Sequence, residues 1–129
     1  MILVDTSVWI DLLNGKRRIT LAVDDLLRFV TCGPIVQEVL QGLRPGGLSD
    51  RFGEAFLALP LLSDPLKSDT FLQAAEIYRQ GRRKGYTIRS SVDCLIAAIA
   101  IENRVPIWHR DRDFGAIARY TALEVLLRR

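Results

Sequence analysis

Short runs of apolar residues alternate along this chain with longer segments that carry apolar residues at helical spacing. Apolar runs without alternation are typical of strands in parallel sheets, which are covered on both faces. Strands that alternate with helices form βαβ units, so the pattern predicts an α/β fold with a mostly parallel central sheet. The predicted strands are residues 2–4, 60–62, 105–108 and 123–127. The predicted helices are residues 8–13, 19–31, 34–43, 49–57, 68–83, 90–103 and 114–119.

Length and composition are those of a single globular domain over residues 1–129, with 49% hydrophobic and 26% charged residues. The longest apolar run, residues 94–101, is far shorter than the roughly 20 residues that span a bilayer. The first residues lack the basic lead-in of a signal peptide, and Cys32 and Cys94 lack metal-ligand spacing. We therefore expect a cytoplasmic protein with buried thiols and no membrane partner.

The charge of the chain is mildly basic, with 18 Lys and Arg against 15 Asp and Glu. A net charge of +3 is a weak indication of a nucleic-acid partner. The basic residues cluster at residues 16–18, 79–89, 110–112 and 128–129. A solvated surface explains any one of these clusters equally well.

Several acids lie where a parallel sheet would gather a ligand. Asp5 directly follows the first predicted strand, and Asp111 and Asp113 follow the third. Glu38 and Asp93 lie in the first turns of two predicted helices. Because ligands bind outside the carboxyl ends of the strands in such sheets, these acids are candidate site residues.

Each acid also has an ordinary structural explanation. Asp5 is a suitable cap for the helix that follows it, and Asp93 has the spacing of a capping box with Ser90. Glu38 is explained equally well as a solvated side chain. The acids after the third strand are explained as turn residues before a helix.

The predicted helix that has Asp93 in its first turn makes the joint explanation stronger than the separate ones. This helix is apolar all round, so it is predicted to be central, with its first turn against the edge of the sheet. Carboxylates that crowd there repel each other, and burial raises their pKa values, unless a cation compensates them. Oxygen ligands without His or Cys favour Mg²⁺ or Mn²⁺, and such a site suits phosphodiester hydrolysis. A zinc site is not expected, because His109 is the only histidine.

Four motifs extend this interpretation to a known family. They are ILVDTSVWIDLL at the start, PIVQEVLQGLR, SSVDCLIAAIAIENRVPIW and HRDRDF. In their order and spacing the chain resembles the PIN-domain ribonucleases, specifically the VapC-type toxins of toxin–antitoxin pairs, over essentially its whole length. The resemblance implies a compact α/β/α sandwich and Mg²⁺- or Mn²⁺-dependent endonucleolytic cleavage of RNA.

The resemblance also assigns roles to the acids. It implies that Asp5 and Asp93 are metal ligands and that Asp113 corresponds to a variable fifth acid. Ser7 would orient the cluster by hydrogen bonding. The catalytic acids that the resemblance implies are Asp5, Glu38, Asp93 and Asp111.

Further partners follow from the same resemblance. It implies a homodimer and a cognate antitoxin, which would lay a segment across the acidic cleft, often with an Arg reaching the carboxylates. One position departs from the family pattern, because His109 stands where a Thr commonly precedes the fourth acid by two residues. His109 is either a strand-end residue with a satisfied ring, or a contact to RNA phosphate or a proton carrier for the leaving oxygen.

Two other functions compete with a ribonuclease. A metal-dependent phosphatase of the haloacid-dehalogenase kind also begins with a strand that ends in Asp, but it needs a second Asp where this chain has Ser7. A catalytically dead binding module of the PIN type would act only through antitoxin and operator complexes. The full set of acids argues against that module.

Overall fold

A computed structural model describes residues 1–14 and 23–126 of the chain. Its five strands form one sheet in which every neighbouring pair is parallel. In chain order the strands are β1 (Ile2–Val4), β2 (Phe29–Cys32), β3 (Leu61–Leu62), β4 (Ile107–Trp108) and β5 (Val125–Leu126). The spatial order is β3-β2-β1-β4-β5, which places β1 at the centre. The prediction of an α/β fold around a parallel sheet is confirmed.

The helices lie between the strands along the chain, as expected for βαβ units. In the described residues they are α1 (Thr6–Asn14), α2 (Val23–Leu26), α3 (Gly33–Gln41), α4 (Gly47–Leu57), α5 (Ser68–Arg83), α6 (Ser91–Asn103) and α7 (Arg112–Ala118). Successive residues of β1 point to opposite faces of the sheet, and all three are buried. Both faces of the centre of the sheet are therefore covered. No helix in the described ranges is long and apolar enough to cross a membrane.

The prediction of a helix over residues 19–31 is wrong at its C-terminal end, because residues 29–32 form β2 and, of the described residues before that strand, 23–26 form a short helix. Residues 19–22 lie outside the described residues. The apolar spacing that favoured a helix includes Leu27, which is 82% exposed. Phe29 and its three successors are instead buried between β1 and β3. Burial against neighbouring strands, which local periodicity does not contain, determines the structure here.

The central position of α6 confirms the prediction from its uniform apolarity. Residues 96–100 of this helix are all buried, and α6 packs against α3, α5 and α7. Its N-terminal turn contains Asp93, which has a carboxylate oxygen within 4.8 Å of oxygens from Asp111 and Asp113, the acids that follow β4. The helix ends at Arg104, whose backbone is left-handed with φ of 55°.

The aromatic core lies beside β1 and stabilises it. Trp9 contacts Phe29, Phe52 and Phe56, with ring centroids 5.3–5.9 Å apart. The Trp9 indole N–H donates to the carbonyl of Val4 over 3.1 Å. This core therefore fixes α1 directly against the strand that precedes Asp5.

The reassigned strand leads to a stability prediction. Phe29→Ala should lower the free energy of unfolding by about 3–5 kcal/mol, because it leaves a cavity beside Trp9 and Trp108. Leu27→Ala should change it by less than about 0.5 kcal/mol, because that side chain is exposed. Urea denaturation followed by circular dichroism measures both values, and an equal loss for the two variants would contradict the strand.

Candidate active site

The pairing of β1 with β4 brings the ends of two distant segments together. Val4 lies opposite Trp108, and the backbone N–H of Asp5 donates to the carbonyl of Trp108 over 2.9 Å. The residues that follow each strand therefore leave the sheet side by side, at its carboxyl edge. This is the edge at which open parallel sheets bind ligands.

Three acids meet closely at this edge. Asp93, Asp111 and Asp113 each offer a carboxylate oxygen, and these atoms all lie within 4.8 Å of one another. Asp93 and Asp113 are buried, whereas Asp111 is half-buried. An oxygen-only set of this size is the kind of site that a hard cation such as Mg²⁺ or Ca²⁺ prefers. We call these three residues the acidic trio.

Asp93 is the acid whose surroundings least suit a bare carboxylate. Burial, together with the charges of Asp111, Asp5, Asp113 and Glu38, raises its pKa from 3.8 to about 8. Its Oδ2 atom is buried without a hydrogen-bond partner among the described residues. A bound cation would both supply that partner and favour the ionised carboxylate, so the trio fits a metal.

The capping-box explanation of Asp93 is not supported. The Ser90 side chain makes no capping hydrogen bond, and the backbone N–H of Asp93 donates to the Ser90 carbonyl over 3.2 Å. Local helix capping therefore does not account for a buried acid at this position.

Asp5 is buried and accepts two hydrogen bonds from Ser7, the residue to which the resemblance assigns an orienting role. One carboxylate oxygen, Oδ2, accepts both the Ser7 hydroxyl at 2.6 Å and the Ser7 backbone N–H at 3.1 Å. The second bond is the capping interaction that was the alternative explanation for this acid. Burial nevertheless raises the pKa of Asp5, with a further contribution from the charge of Asp111.

Ser7 also connects the two strand ends through its own acceptor. Its hydroxyl oxygen accepts the backbone N–H of Arg110 over 3.0 Å. The Arg110 guanidinium lies 3.2 Å from Asp11 of α1, and both side chains are largely buried. Together, Ser7, Arg110 and Asp11 hold the segment after β4 against α1.

Glu38 lies on α3, in a half-buried position beside the same edge. One of its oxygens accepts the hydroxyl of Thr6 over 2.9 Å. The sequence did not single out Thr6, whose one signal was its place directly after Asp5. The bond spans 32 residues, so only the folded chain reveals it.

One of the two ring nitrogens of His109 has a hydrogen-bond partner among the described residues, and the other has none. Its Nδ1 accepts the backbone N–H of Asp111 over 3.2 Å, so the ring proton lies on Nε2. The Nε2 atom is buried with no hydrogen-bond partner in the described part of the chain. Burial lowers the pKa of this imidazole, which favours the neutral ring.

The remaining acids are fixed by backbone donors. Asp111 caps α7, because its Oδ1 accepts the N–H of Asp113 over 3.0 Å. Asp113 accepts the backbone N–H of Arg89 over 3.2 Å. The Arg89 guanidinium lies 3.9 Å from Asp111 and 3.8 Å from Asp113. The sequence placed this arginine only in a basic cluster, and its position four residues before Asp93 was the available signal.

The geometry groups the predicted site residues in two sets. Asp111 and Asp113 join Asp93 in the acidic trio, whereas Asp5 and Glu38 lie outside it. The charges of these two acids still raise the pKa of Asp93. A parallel α/β fold with acids gathered at this edge has a site that fits a metal ion, and comparison with known proteins identifies the family.

Residues 2–120 match the PIN domain family. The chain is 39% identical over 130 residues to the VapC ribonuclease Mb1587 of Mycobacterium bovis, covering 96% of each chain. It is equally similar to ribonuclease VapC11 of Mycobacterium tuberculosis. The chain therefore belongs to the PIN-domain family and is of the VapC type.

Solved structures share the fold at lower identity. FitAcB from Neisseria gonorrhoeae matches with a TM-score of 0.70 and 21% identity, covering 98% of this chain and 97% of that one. VapBC-1 from nontypeable Haemophilus influenzae matches with a TM-score of 0.70, 17% identity and the same coverage. These similarities confirm the PIN-like α/β/α fold.

The raised pKa of Asp93 leads to a prediction for stability against pH. Because the folded protein holds this proton more tightly than the unfolded chain, the stability that the neutral group contributes is complete below pH 3.8. It is lost as the pH rises to about 8. In EDTA, wild-type protein should lose more unfolding free energy over this window than Asp93→Asn.

Urea denaturation at a series of pH values measures the difference between the two proteins, and titrating groups remote from Asp93 cancel in that difference. Asp69→Asn, at an exposed position on α5, is the matched control and should follow the wild type. Parallel pH profiles for wild type and Asp93→Asn would contradict the buried, proton-binding state of this carboxyl group.

Proposed function

We propose that this protein is a metal-dependent endoribonuclease that acts in the cytoplasm as the toxin of a toxin–antitoxin pair. The observation that carries the proposal is the buried Asp93, one of whose oxygens has no hydrogen-bond partner among the described residues. A carboxylate oxygen of Asp93 lies within 4.8 Å of oxygens from two further acids. The printed names of the relatives, which call them ribonucleases, support RNA as the substrate.

The proposed cofactor is Mg²⁺ or Mn²⁺, held by Asp93 together with Asp5. Asp111 and Asp113 of the acidic trio are the further candidate ligands. A bound ion of this kind activates water and neutralises charge on a phosphoryl oxygen. The absence of sulfur and imidazole ligands in the acidic trio favours these hard cations over zinc.

The side chains have separate roles in the proposed reaction. Asp93 must lose its proton before it can hold a cation, so activity should rise with pH. Glu38 and Asp111 would orient the attacking water and accept its proton. Ser7 would keep Asp5 in place through the bonds described above. In-line attack would leave a 5′-phosphate and a 3′-hydroxyl.

The proposed partners follow from the family. VapBC-1 and FitAB are two of the complexes found among the similar structures, and FitAB is bound to a DNA fragment in one of them. We infer that this chain also pairs with a cognate antitoxin that blocks the acidic edge, and that it forms a homodimer and a larger hetero-oligomer.

Substitution of the acids tests the nuclease. Asp93→Asn and Asp5→Asn should fold and lose Mg²⁺- or Mn²⁺-dependent cleavage of single-stranded RNA by about 100-fold or more, since the metal supplies the chemistry. Asp69→Asn should retain full activity. Gel analysis of end-labelled RNA, with EDTA as a blank, gives the rates.

Two outcomes would contradict this proposal in different ways. Full metal-dependent activity in either acid variant would remove that acid from the site. No cleavage by wild-type protein in either metal would favour the catalytically dead binding module. Turnover of a small phosphate monoester in preference to RNA would favour the phosphatase.

Ser7→Ala tests a positioning role. Loss of the hydroxyl removes a 2.6 Å bond to Asp5 and the acceptor of the Arg110 N–H. Such supporting bonds are worth about 10- to 100-fold in metal affinity or activity, and a loss in that range is expected. Ser68→Ala, at an exposed position at the start of α5, is the control. Titration with Mn²⁺ by calorimetry measures the affinity, and an unchanged value would contradict the role.

A further inference from the structure

Arg89 lies beside the acidic edge and differs from the other cationic residues there. It lies in the loop of residues 84–90, between α5 and α6, and its backbone N–H is bound to Asp113. This bond fixes the loop beside the acidic trio. The start of the Arg89 side chain is therefore held in place, independently of where its guanidinium points.

The Arg89 guanidinium lies close to the acidic trio, but at distances longer than those of direct hydrogen bonds. Its nitrogens lie 3.9 Å from Asp111 and 3.8 Å from Asp113, beyond the roughly 2.7–2.9 Å of a direct charged hydrogen bond. The side chain is 57% exposed. Arg110 shows the contrast, since it lies 3.2 Å from Asp11 and its side chain is only 19% exposed. Arg110 is built into the fold, whereas Arg89 keeps donors available to solvent.

The negative charge of the site indicates a role for the solvent-exposed guanidinium of Arg89. Five carboxyl groups act on this edge, and one doubly charged ion would leave it negative. A phosphodiester that approaches is itself an anion. In the described ranges, Arg89 is the residue whose cationic side chain forms ion pairs with the trio. Its planar donors match the geometry of phosphate oxygens.

We propose that Arg89 binds the phosphate of the RNA that lies over the acidic trio and stabilises the charge that develops there during cleavage. The assignment rests on the proposed nuclease function and deepens it by adding a substrate contact. A guanidinium placed beside a transferring phosphoryl group is a recurring way to stabilise its transition state. The other possibility is that Arg89 only holds the trio in place.

Two measurements separate these roles, and Arg104→Gln is the matched control. Arg104 is exposed and follows the opposite end of α6, about 16 Å along the helix from Asp93 at 1.5 Å per residue. The first measurement is binding of fluorescent single-stranded RNA by anisotropy at several KCl concentrations, in the cleavage-deficient Asp93→Asn background. The second is Mn²⁺ affinity by calorimetry in the otherwise wild-type chain.

Arg89→Gln should weaken RNA binding by about tenfold and reduce the salt dependence of log K by about 0.7, the value for one phosphate contact on a single strand. Mn²⁺ affinity should stay the same or increase, because a positive charge beside the ion is removed. Cleavage by Arg89→Gln in the wild-type background should fall, and Arg89→Lys should recover part of it.

The results that overturn the inference are distinct from failure of the nuclease itself. An unchanged salt dependence in Arg89→Gln would exclude the phosphate contact. A fall in Mn²⁺ affinity that accompanies the loss of RNA binding would make Arg89 an organiser of the trio instead. Wild-type protein that does not cleave RNA would contradict the proposed function, whereas active wild type with fully active Arg89→Gln would contradict only this inference.

Discussion

The burial of mutually repelling carboxyl groups at the carboxyl edge of the sheet is the constraint on which the site depends. Burial alone disfavours an ionised Asp93, and four neighbouring acids add to that cost. A fold does not gain stability from such an arrangement in the absence of a cation. The structure tolerates it because strong bonds elsewhere hold the acids, including those from Ser7 and from the backbone of Arg89. The same strain makes the edge a good place to bind a positively charged ion.

Much of the fold follows from the sequence because the period of its apolar residues is clear. The uniform apolarity of α6 predicts its central position, and the run before Asp5 predicts a buried strand. The β2 strand was not predicted, because a leucine-rich segment before it has helical spacing. The missing information was tertiary, since Phe29 is stabilised by Trp9 and Trp108 rather than by its own neighbours.

The candidate site was likewise predicted from the sequence in part, and the rest depends on contacts between distant segments. Acids that follow strands were found from their positions, because parallel strands end at one edge. Contacts between distant segments were not found, such as Thr6 with Glu38 and Arg89 with the trio. Ser7 was predicted to orient the cluster, and it does bond to Asp5. Its second bond, to the segment after β4, spans 103 residues and requires the folded chain.

The pairing of β1 with β4 has a consequence for the time at which activity can arise. The first acid follows β1, whereas the trio comes from the last third of the chain. A growing polypeptide that lacks that region has no partner for the edge of β1 and cannot gather the acids. Under the proposed function, a chain that is still being synthesised on the ribosome would therefore not cleave nearby RNA. It would become active only when the final strands have joined the sheet.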